Sequence, residues 1–266
     1  MRGEERTPLT LGDRVNILGT GINPLTMGNA VARIEQAMRE RYQGYVCVAA
    51  AHSVMDCLRE ESLRRIFNRS MMTTPDGMPL VWLARAQARQ PVERVYGPDL
   101  MLAVCQSTVS QGFRHFFYGG EPEVADALAA RLKTRFPGLE VAGTFSPPYR
   151  PLSIEEDTQV IQLIDRSRSD LVWIGLGTGK QERWMADHLG RVQASVMVGV
   201  GTAFDVLSGR KSQAPRWLRQ IGLEWLFRLA SEPHRLWRRY LEYPWFVALV
   251  LAQLTGLKEF TMEEST

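Results

Sequence analysis

The sequence predicts an α/β fold: a doubly wound, mostly parallel Rossmann-like sheet, followed by a helical, membrane-associating appendage at the C-terminus. Short β-rich runs alternate with amphipathic stretches of helix length, and several of the predicted strands run directly into glycine. Strands separated by helix-length segments imply right-handed βαβ crossovers and therefore a parallel sheet. With 266 residues and 45% hydrophobic composition, the chain can bury a substantial core, either as one large domain or as a domain with an appendage.

The predicted strands are short and apolar, and most are rich in β-branched or aromatic residues. They are Val15–Leu18, Tyr45–Ala49, His115–Tyr118, Leu139–Ala142, Leu171–Ile174 and Ser195–Val198. The predicted helices are Met27–Arg41, Pro98–Gln111, Glu121–Arg135, Ile154–Ser167 and Glu182–Leu189. Glycine follows four of the strands, after Leu18, Tyr118, Ile174 and Val198. The carboxyl ends of parallel strands form the ligand crevice of such sheets, and glycine there lets backbone N–H groups approach a phosphate.

Positive charge is concentrated near the C-terminus. The segment Gly209–Tyr243, which we call the C-terminal basic stripe, holds eight Lys or Arg against three Glu, with large aromatic residues between them. The rest of the chain, with 24 basic and 26 acidic residues, is nearly neutral. We therefore expect no nucleic-acid partner. The composition shift near Gly209 predicts a core over residues 1–208 and a helical appendage over residues 209–266.

Cations beside amphipathic rings are typical of a helix that lies on an anionic membrane surface. The apolar run Trp245–Leu254 is about half of the ~20 residues that cross a bilayer. The N-terminal segment Met1–Arg14 is charged, and we expect no signal peptide. These features predict a cytoplasmic protein that is peripheral to the inner face of the membrane. The stripe could equally be a solvated helical hairpin that caps the core, or it could dock on a second subunit of a homo-oligomer.

Asp76 lies in a polar island, Thr73–Pro79, where a strand would give way to a helix that starts near Met78. A carboxylate at this position can act as a general base toward a sugar hydroxyl. It can also form an Asp-Gly turn or cap the helix. The island alone leaves these alternatives open.

The run Gly175–Glu182 follows an apolar strand and opens a helix, as a phosphate-binding turn does. Its spacing matches neither the P-loop nor the dinucleotide fingerprint, so the run is compatible with a diphosphate-bearing ligand but does not favour a nicotinamide cofactor. We expect no cofactor. Lys180 can neutralise phosphate charge and Gln181 offers an amide to a base or sugar; the alternative is a glycine-rich loop with a solvated lysine. The D-x-D of metal-dependent nucleotide-sugar enzymes is absent from the sequence, which therefore demands no metal ion.

A third run, Gly199–Asp205, repeats the strand-to-glycine pattern and ends in an acid. Arg94 stands just before Tyr96-Gly97-Pro98-Asp99, where Pro98 suits the first turn of a helix. Arg94 could bind a diphosphate, or it could pair with Glu93 or Asp99.

Together these blocks resemble the WecG/TagA/CpsF glycosyltransferases (glycosyltransferase family 26), over roughly residues 14 to 240. The matching blocks are Thr74–Gly77, Arg94–Leu100, Gly175–Trp184, Gly199–Asp205, Gly209–Lys211 through Ala214-Pro215, Gly222–Leu229 and Glu232–Arg235. The resemblance implies an inverting, metal-independent transferase. It would move a sugar, often N-acetylmannosamine or its uronic acid, from a UDP-sugar to a polyprenyl-diphosphate-linked saccharide at the cytoplasmic membrane.

The resemblance also implies roles for residues. Asp76 is the expected general base, and Arg94, Gln181 and Asp205 are expected to contact the nucleotide sugar. The complete set of substrate-binding candidates is Thr74, Gly77, Arg94, Gly97, Asp99, Gly177, Lys180, Gln181, Glu182, Gly201, Thr202 and Asp205. The arginines expected to bind the membrane and to close over the lipid diphosphate are Arg216, Arg228, Arg235, Arg238 and Arg239. Glu224 is expected to be an internal partner for these arginines.

The sequence departs from the family pattern at two places. Many members carry T-x-N where this chain has Val48 and Ala50, with His52 as a candidate substitute. The usual proline before K-Q-E is Gly179 here. The departure at Val48 and Ala50 keeps a non-catalytic, membrane-associated binding protein open as an alternative function. A nucleotide-dependent oxidoreductase on the same kind of sheet is a second alternative.

Overall fold

The computed structural model describes residues 13–215, 217–218, 222–234, 237 and 241–262. The strands in these ranges are β1 (Val15–Ile17), β2 (Thr20–Ile22), β3 (Gly44–Ala49), β4 (Met72–Pro75), β5 (Arg114–Gly119), β6 (Glu140–Phe145), β7 (Leu171–Gly175) and β8 (Val196–Gly199). The helices are α1 (Met27–Glu40), α2 (Ala51–Arg59), α3 (Glu61–Arg69), α4 (Met78–Gln87), α5 (Gly97–Thr108), α6 (Val124–Arg135), α7 (Ile154–Ser167), α8 (Lys180–His188), α9 (Ala203–Leu207), α10 (Glu224–Ser231) and α11 (Tyr243–Leu254).

Six strands form a central sheet in the order β4-β3-β8-β7-β5-β6, and every neighbouring pair is parallel. The strands are mostly apolar and their side chains alternate between two cores. In β7, Val172 and Ile174 pack on one face of the sheet, whereas Leu171 and Trp173 pack on the other. A sheet that is buried on both faces needs helices on both faces. The parallel α/β sheet predicted from the strand–helix alternation is thus confirmed.

The helices divide between these two faces. Buried residues of α2, α3, α4, α7, α8 and α11 belong to the first core, and those of α1, α5, α6 and α9 belong to the second. This is the doubly wound arrangement, in which the carboxyl ends of the strands carry the connections that can form a site.

Two strand predictions need correction. Val15–Ile17 is a strand, but it pairs antiparallel with β2 in a separate two-stranded hairpin and does not join the parallel sheet. Only Leu18 and Gly19 separate the two strands, and both have positive φ (52° and 83°), as a tight hairpin turn requires. In addition, β4 was predicted only as a strand without bounds that ends before Asp76, because four residues that end in a proline carry little strand signal.

The C-terminal helix α11 packs on the first core with one face and exposes the other. Phe246, Leu249 and Val250 are buried, at the i, i+3, i+4 spacing of a helix face. Gln253 extends this inner face: its Oε1 accepts the N–H of Leu18 at 2.9 Å and its Nε2 donates to the carbonyl of Asn16 at 3.0 Å.

The opposite face of α11 is also apolar, with exposed residues Trp245, Val247, Leu251 and Leu254. Within the described ranges, no helix combines the length and the apolar character that a membrane crossing requires. The division of the chain at residue 209 stays a prediction.

Candidate active site

A cleft of about 760 Å³ lies at the carboxyl ends of β3, β4, β7 and β8. Residues within two positions of these strand ends line it, among them Ala50, Asp76, Gly177 and Gly201. The predicted motifs, which are up to about 125 residues apart in sequence, therefore meet at one edge of the sheet. Residues of the C-terminal segment also line the cleft; they are Arg210, Lys211, Ser212, Gly222, Glu224, Trp225, Phe227, Arg228, Ser231, Glu232 and Tyr243.

Asp76 is held rigidly between β4 and α4. Its N–H donates to the carbonyl of Ala49 on the neighbouring strand at 2.8 Å. Its own carbonyl accepts the Nε–H of Arg94 at 2.5 Å, and its Oδ1 accepts the Nη2–H of Arg94 at 2.9 Å. Across the described chain, no hydrogen bond reaches Oδ2. One carboxylate oxygen is thus fixed, while the other is available to a ligand in the cleft.

This geometry bears on the alternative that Asp76 is a helix cap. The N-cap residue of α4 is Gly77, which makes no side-chain capping bond, and the carboxylate of Asp76 is engaged by Arg94 instead. Pro79 in the first turn of α4 removes one N–H that would otherwise need a partner. Asp76 therefore ends a strand at the ligand cleft with its charge bound to an arginine.

The electrostatic environment raises the pKa of Asp76 above its usual range. Burial is the largest cause, since it disfavours the charged form, and the nearby Glu224 acts in the same direction. The positive charges of Arg94 and Arg228 oppose the shift but do not cancel it. A carboxylate with a raised pKa is a stronger base than an exposed aspartate.

Glu224, at the start of α10, is buried with 8% of its surface exposed. Its Oε2 accepts the Nη2–H of Arg94 at 2.6 Å, and its Oε1 lies 3.6 Å from Nε of Arg228. The expectation that Glu224 is an internal partner for an arginine of the C-terminal basic stripe is confirmed by the contact with Arg228. Arg94 also stacks 4.4 Å above the ring of Tyr96.

Arg94 therefore pairs with Asp76 and Glu224, and not with Glu93 or Asp99, the pairing that the sequence left open as one of two alternatives. Burial alone would lower the pKa of Arg94, but the two carboxylates outweigh it and raise the pKa. The guanidinium is thus a permanent positive charge at the cleft. A direct contact between Arg94 and a nucleotide stays a prediction.

The two glycine turns after β7 and β8 are joined by buried side chains. Gln181 accepts the N–H of Gly201 with Oε1 at 3.0 Å and donates from Nε2 to Glu182 at 2.9 Å. Glu182 in turn accepts the N–H of Gly179 at 2.5 Å, which completes the start of α8. A Cβ at Gly199 would lie 2.9 Å from Cε of Met185 and 3.0 Å from Nε2 of Gln181, so a larger residue there would displace these side chains. These contacts pre-shape the turns that face the cleft.

Cations lie around the glycine turns. Arg228 donates from Nη2 to Oγ1 of Thr202 at 2.7 Å, which ties α10 to the turn after β8. Lys211 lies 2.9 Å from Asp205 and 3.2 Å from Glu232. Lys180, the first residue of α8, stacks 4.7 Å from the ring of Tyr149. This edge of the cleft is suited to an anionic ligand.

The predicted site residues fall into three groups. Those that line the cleft are Asp76, Gly77, Arg94, Gly177, Lys180, Gln181, Gly201, Thr202 and Arg228. Those that do not line it are Thr74, Gly97, Asp99, Glu182 and Asp205. Those that lie outside the described residues are Arg216, Arg235, Arg238 and Arg239.

Some residues of the second group support the cleft from behind. Thr74 is buried in β4, and Gly97 allows α5 to approach the backbone of Val200, where a Cβ would lie 3.2 Å from the carbonyl oxygen. Glu182 holds Gln181 and Gly179, and burial raises its pKa. Direct ligand contacts by these residues stay predictions.

Sequence reasoning missed several lining residues. Lys211 and Tyr243 were not among the predicted site residues, although Lys211 belongs to the Gly209–Lys211 block that carried the resemblance. Tyr149 stands in an exposed loop that offered no signal. Val48 and Ala50, which stand where many members of the family carry T-x-N, line the cleft. Nε2 of His52 lies 3.2 Å from Oγ1 of Thr178.

The sheet and its cleft place the chain among the Rossmann-like α/β proteins, which bind ligands at the carboxyl ends of parallel strands. The model of the Glycosyl transferase WecG/TagA/CpsF family matches residues 15–259. The chain belongs to this family, and it is a glycosyltransferase.

Curated relatives in three bacteria carry the same name, N-acetylglucosaminyldiphosphoundecaprenol N-acetyl-beta-D-mannosaminyltransferase. The chain is 29% identical over 222 residues to that of Bacillus spizizenii, which covers 83% of the chain and 84% of the relative. It is 28% identical to that of Bacillus subtilis, over 73% of the chain and 74% of the relative. It is 26% identical to that of Staphylococcus aureus strain MRSA252, over 85% of the chain and 87% of the relative.

Proposed function

We propose that this glycosyltransferase transfers a sugar from a UDP-sugar to a saccharide linked to polyprenyl diphosphate, with inversion and without a metal ion. The donor would carry N-acetylmannosamine, its uronic acid or a related hexose, and the product would feed a cell-surface polysaccharide. The observation that carries the proposal is the Asp76 carboxylate, anchored through Oδ1 by Arg94 with Oδ2 left to the cleft. The names of the relatives support the class of sugar and acceptor.

The proposed reaction is a single displacement. Oδ2 of Asp76 accepts the proton of the acceptor hydroxyl while the hydroxyl oxygen bonds to the anomeric carbon. The bond from that carbon to the diphosphate breaks on the opposite face, and UDP leaves with the electron pair. Attack from the face opposite the leaving group inverts the anomeric configuration. The raised pKa of Asp76 supports its role as the base.

The departing diphosphate needs its negative charge stabilised. Lys180 and Arg228 stand at the two glycine turns, and the N-terminus of α8 adds oriented N–H groups there. We propose that these groups bind the diphosphate, in the manner of an oxyanion hole. The contact of Arg228 with Thr202 means that α10 must be docked for this set to be complete.

We propose that residues 209–266 form an appendage that rests on the cytoplasmic face of the membrane and brings the cleft to its lipid-linked acceptor. Two features support this. The exposed face of α11 is apolar, with Trp245, Leu251 and Leu254 each more than half exposed. The preceding stripe holds eight cations, which attract anionic lipids. The alternative is that a second subunit, rather than the membrane, covers this surface by docking on the stripe.

A transfer assay tests the proposed function. The purified protein is mixed with each of a panel of UDP-sugars and with N-acetylglucosaminyl diphosphate carried on a short polyprenyl chain. We expect UDP release together with a glycosylated lipid of inverted anomeric configuration. The true donor should also raise the melting temperature, because it binds only the folded state. If the protein binds UDP-sugars but no donor yields product, the proposal is wrong and a non-catalytic binding role takes its place.

A further inference from the structure

One guanidinium serves two carboxylates in the cleft. Nη2 of Arg94 donates both to Oδ1 of Asp76 at 2.9 Å and to Oε2 of Glu224 at 2.6 Å. Nε of the same arginine donates to the backbone carbonyl of Asp76 at 2.5 Å and lies 3.3 Å from Oδ1. An arginine and a lone carboxylate prefer a bidentate pair, in which two parallel N–H groups bind both carboxylate oxygens. Asp76 is held through a single oxygen instead.

The sharing of Nη2 explains this unusual pairing. One N–H of Nη2 is directed to Oδ1 of Asp76 and the other to Glu224, while Nε is directed to the backbone carbonyl of Asp76, so Arg94 does not present a full fork to that carboxylate. Glu224 is itself fixed, because it is buried and its other oxygen lies 3.6 Å from Nε of Arg228. Arg228 is tied to Thr202 in turn. Two carboxylates and two arginines thus form a chain from the end of β4 to the turn after β8.

We propose that Glu224 is a positioning residue for the general base: it restrains Arg94 so that Arg94 orients Asp76 without capturing both of its oxygens. This inference rests on the proposed function, since it takes Asp76 as the base. Without Glu224, the freed Nη2 would turn to Oδ2 of Asp76 and occupy the atom that must accept the proton. Glu224 stands on α10, so the base takes up its working arrangement only when that helix is docked on the cleft.

The charges around Asp76 give the proposal a measurable consequence. The charged or titratable groups that face Asp76 are Arg94, Glu224 and Arg228, with the ring of Tyr96 beside them. His52 stands on α2 at the same cleft. The negative charge of Glu224 raises the pKa of Asp76, so its removal lowers that pKa. Because the base must be ionised, the acidic limb of the pH–rate profile then moves to lower pH.

The test compares Glu224→Gln with Glu242→Gln. Both remove one negative charge from the C-terminal part of the chain. Glu242, the N-cap residue of α11, pairs with Arg59 of α2, whereas the carboxylates that Arg94 binds are those of Asp76 and Glu224. In Glu224→Gln the amide oxygen can still accept from Nη2, but it lacks the negative charge that holds the guanidinium, so Nη2 is held more weakly. We expect kcat to fall about 10- to 100-fold, as a misplaced catalytic group causes, with KM for the donor nearly unchanged. We also expect the acidic limb to move to lower pH. Glu242→Gln should change neither.

A second variant keeps the test decisive if Glu224→Gln is less stable, which thermal unfolding reports. Arg94→Lys cannot bind two carboxylates with a fork, so we expect Glu224→Gln to lower kcat less than twofold further in that background. The inference is overturned if Glu224→Gln leaves the acidic limb of the pH–rate profile where it was. It is also overturned if Glu224→Gln lowers kcat by the same factor in the unmodified protein and in the Arg94→Lys background. If Asp76→Asn retains full activity, the proposed function itself fails; if Asp76→Asn is inactive and Glu224→Gln is normal, only this inference fails.

Discussion

The exposed face of α11 gives the sharpest prediction about where the enzyme works. Leu251 and Leu254 are each 56% exposed, whereas the opposite face of the helix is buried in the core. Full burial of a leucine side chain is worth about 1.5–3 kcal/mol, so the exposed parts of these two can contribute about 2–3 kcal/mol together on entering a bilayer interface. The double variant Leu251→Ser/Leu254→Ser should weaken partitioning roughly 30- to 150-fold.

The assay is co-sedimentation with vesicles that contain anionic lipid, scored as the fraction bound against lipid concentration. The matched control is Leu163→Ser, which removes an exposed leucine from α7, a helix far from the C-terminal segment in sequence. The control should bind as the unmodified protein does. Both variants should remain folded, because substitutions at exposed positions cost little stability. If the double variant binds vesicles as the unmodified protein does, α11 has no role in membrane binding. If Leu163→Ser loses vesicle binding to the same extent, the membrane contact is not specific to the exposed face of α11.

Two further predictions concern the metal and the pH dependence of stability. Transfer activity should survive an excess of EDTA, because Lys180 and Arg228 would stabilise the leaving diphosphate; loss of activity that Mg²⁺ restores contradicts this. His115 is buried between Thr108 and Trp173, and burial lowers its pKa to about 4. The unfolded chain therefore takes up this proton first, and the free energy of unfolding should fall by about 3 kcal/mol between pH 6.5 and 4. In His115→Gln, denaturant titrations across this range should show a smaller fall; an identical fall contradicts the assignment.

The parallel sheet could be predicted from the sequence because strand and helix periods alternate along the chain. The pairing of β1 with β2 in a hairpin was not predicted. It depends on a two-residue turn in which Leu18 has a left-handed conformation, and a leucine gives no sign of that conformation in the sequence. The bounds of β4 could not be predicted, because its four residues are too few to show the period of a strand. Both misses are local features that tertiary packing decides.

The candidate site was predictable to the extent that it follows strand ends. Asp76, Gly177 and Gly201 meet because parallel strands present their carboxyl ends at one edge. The bond from Arg94 to Glu224 joins residues 130 apart, and no spacing rule relates them. The same holds for the inner and outer faces of α11, because both are apolar and only the fold decides which one is buried.

We propose that Asp76 is the general base of the glycosyl transfer, and the substitution Asp76→Asn removes this function alone. The variant keeps the shape of the side chain but removes its capacity to accept a proton. At saturating UDP-sugar and lipid acceptor, we expect kcat to fall by about 10²- to 10⁴-fold, while the stabilisation by UDP in thermal unfolding is retained. A near-normal kcat in the folded variant would show that Asp76 is not the general base.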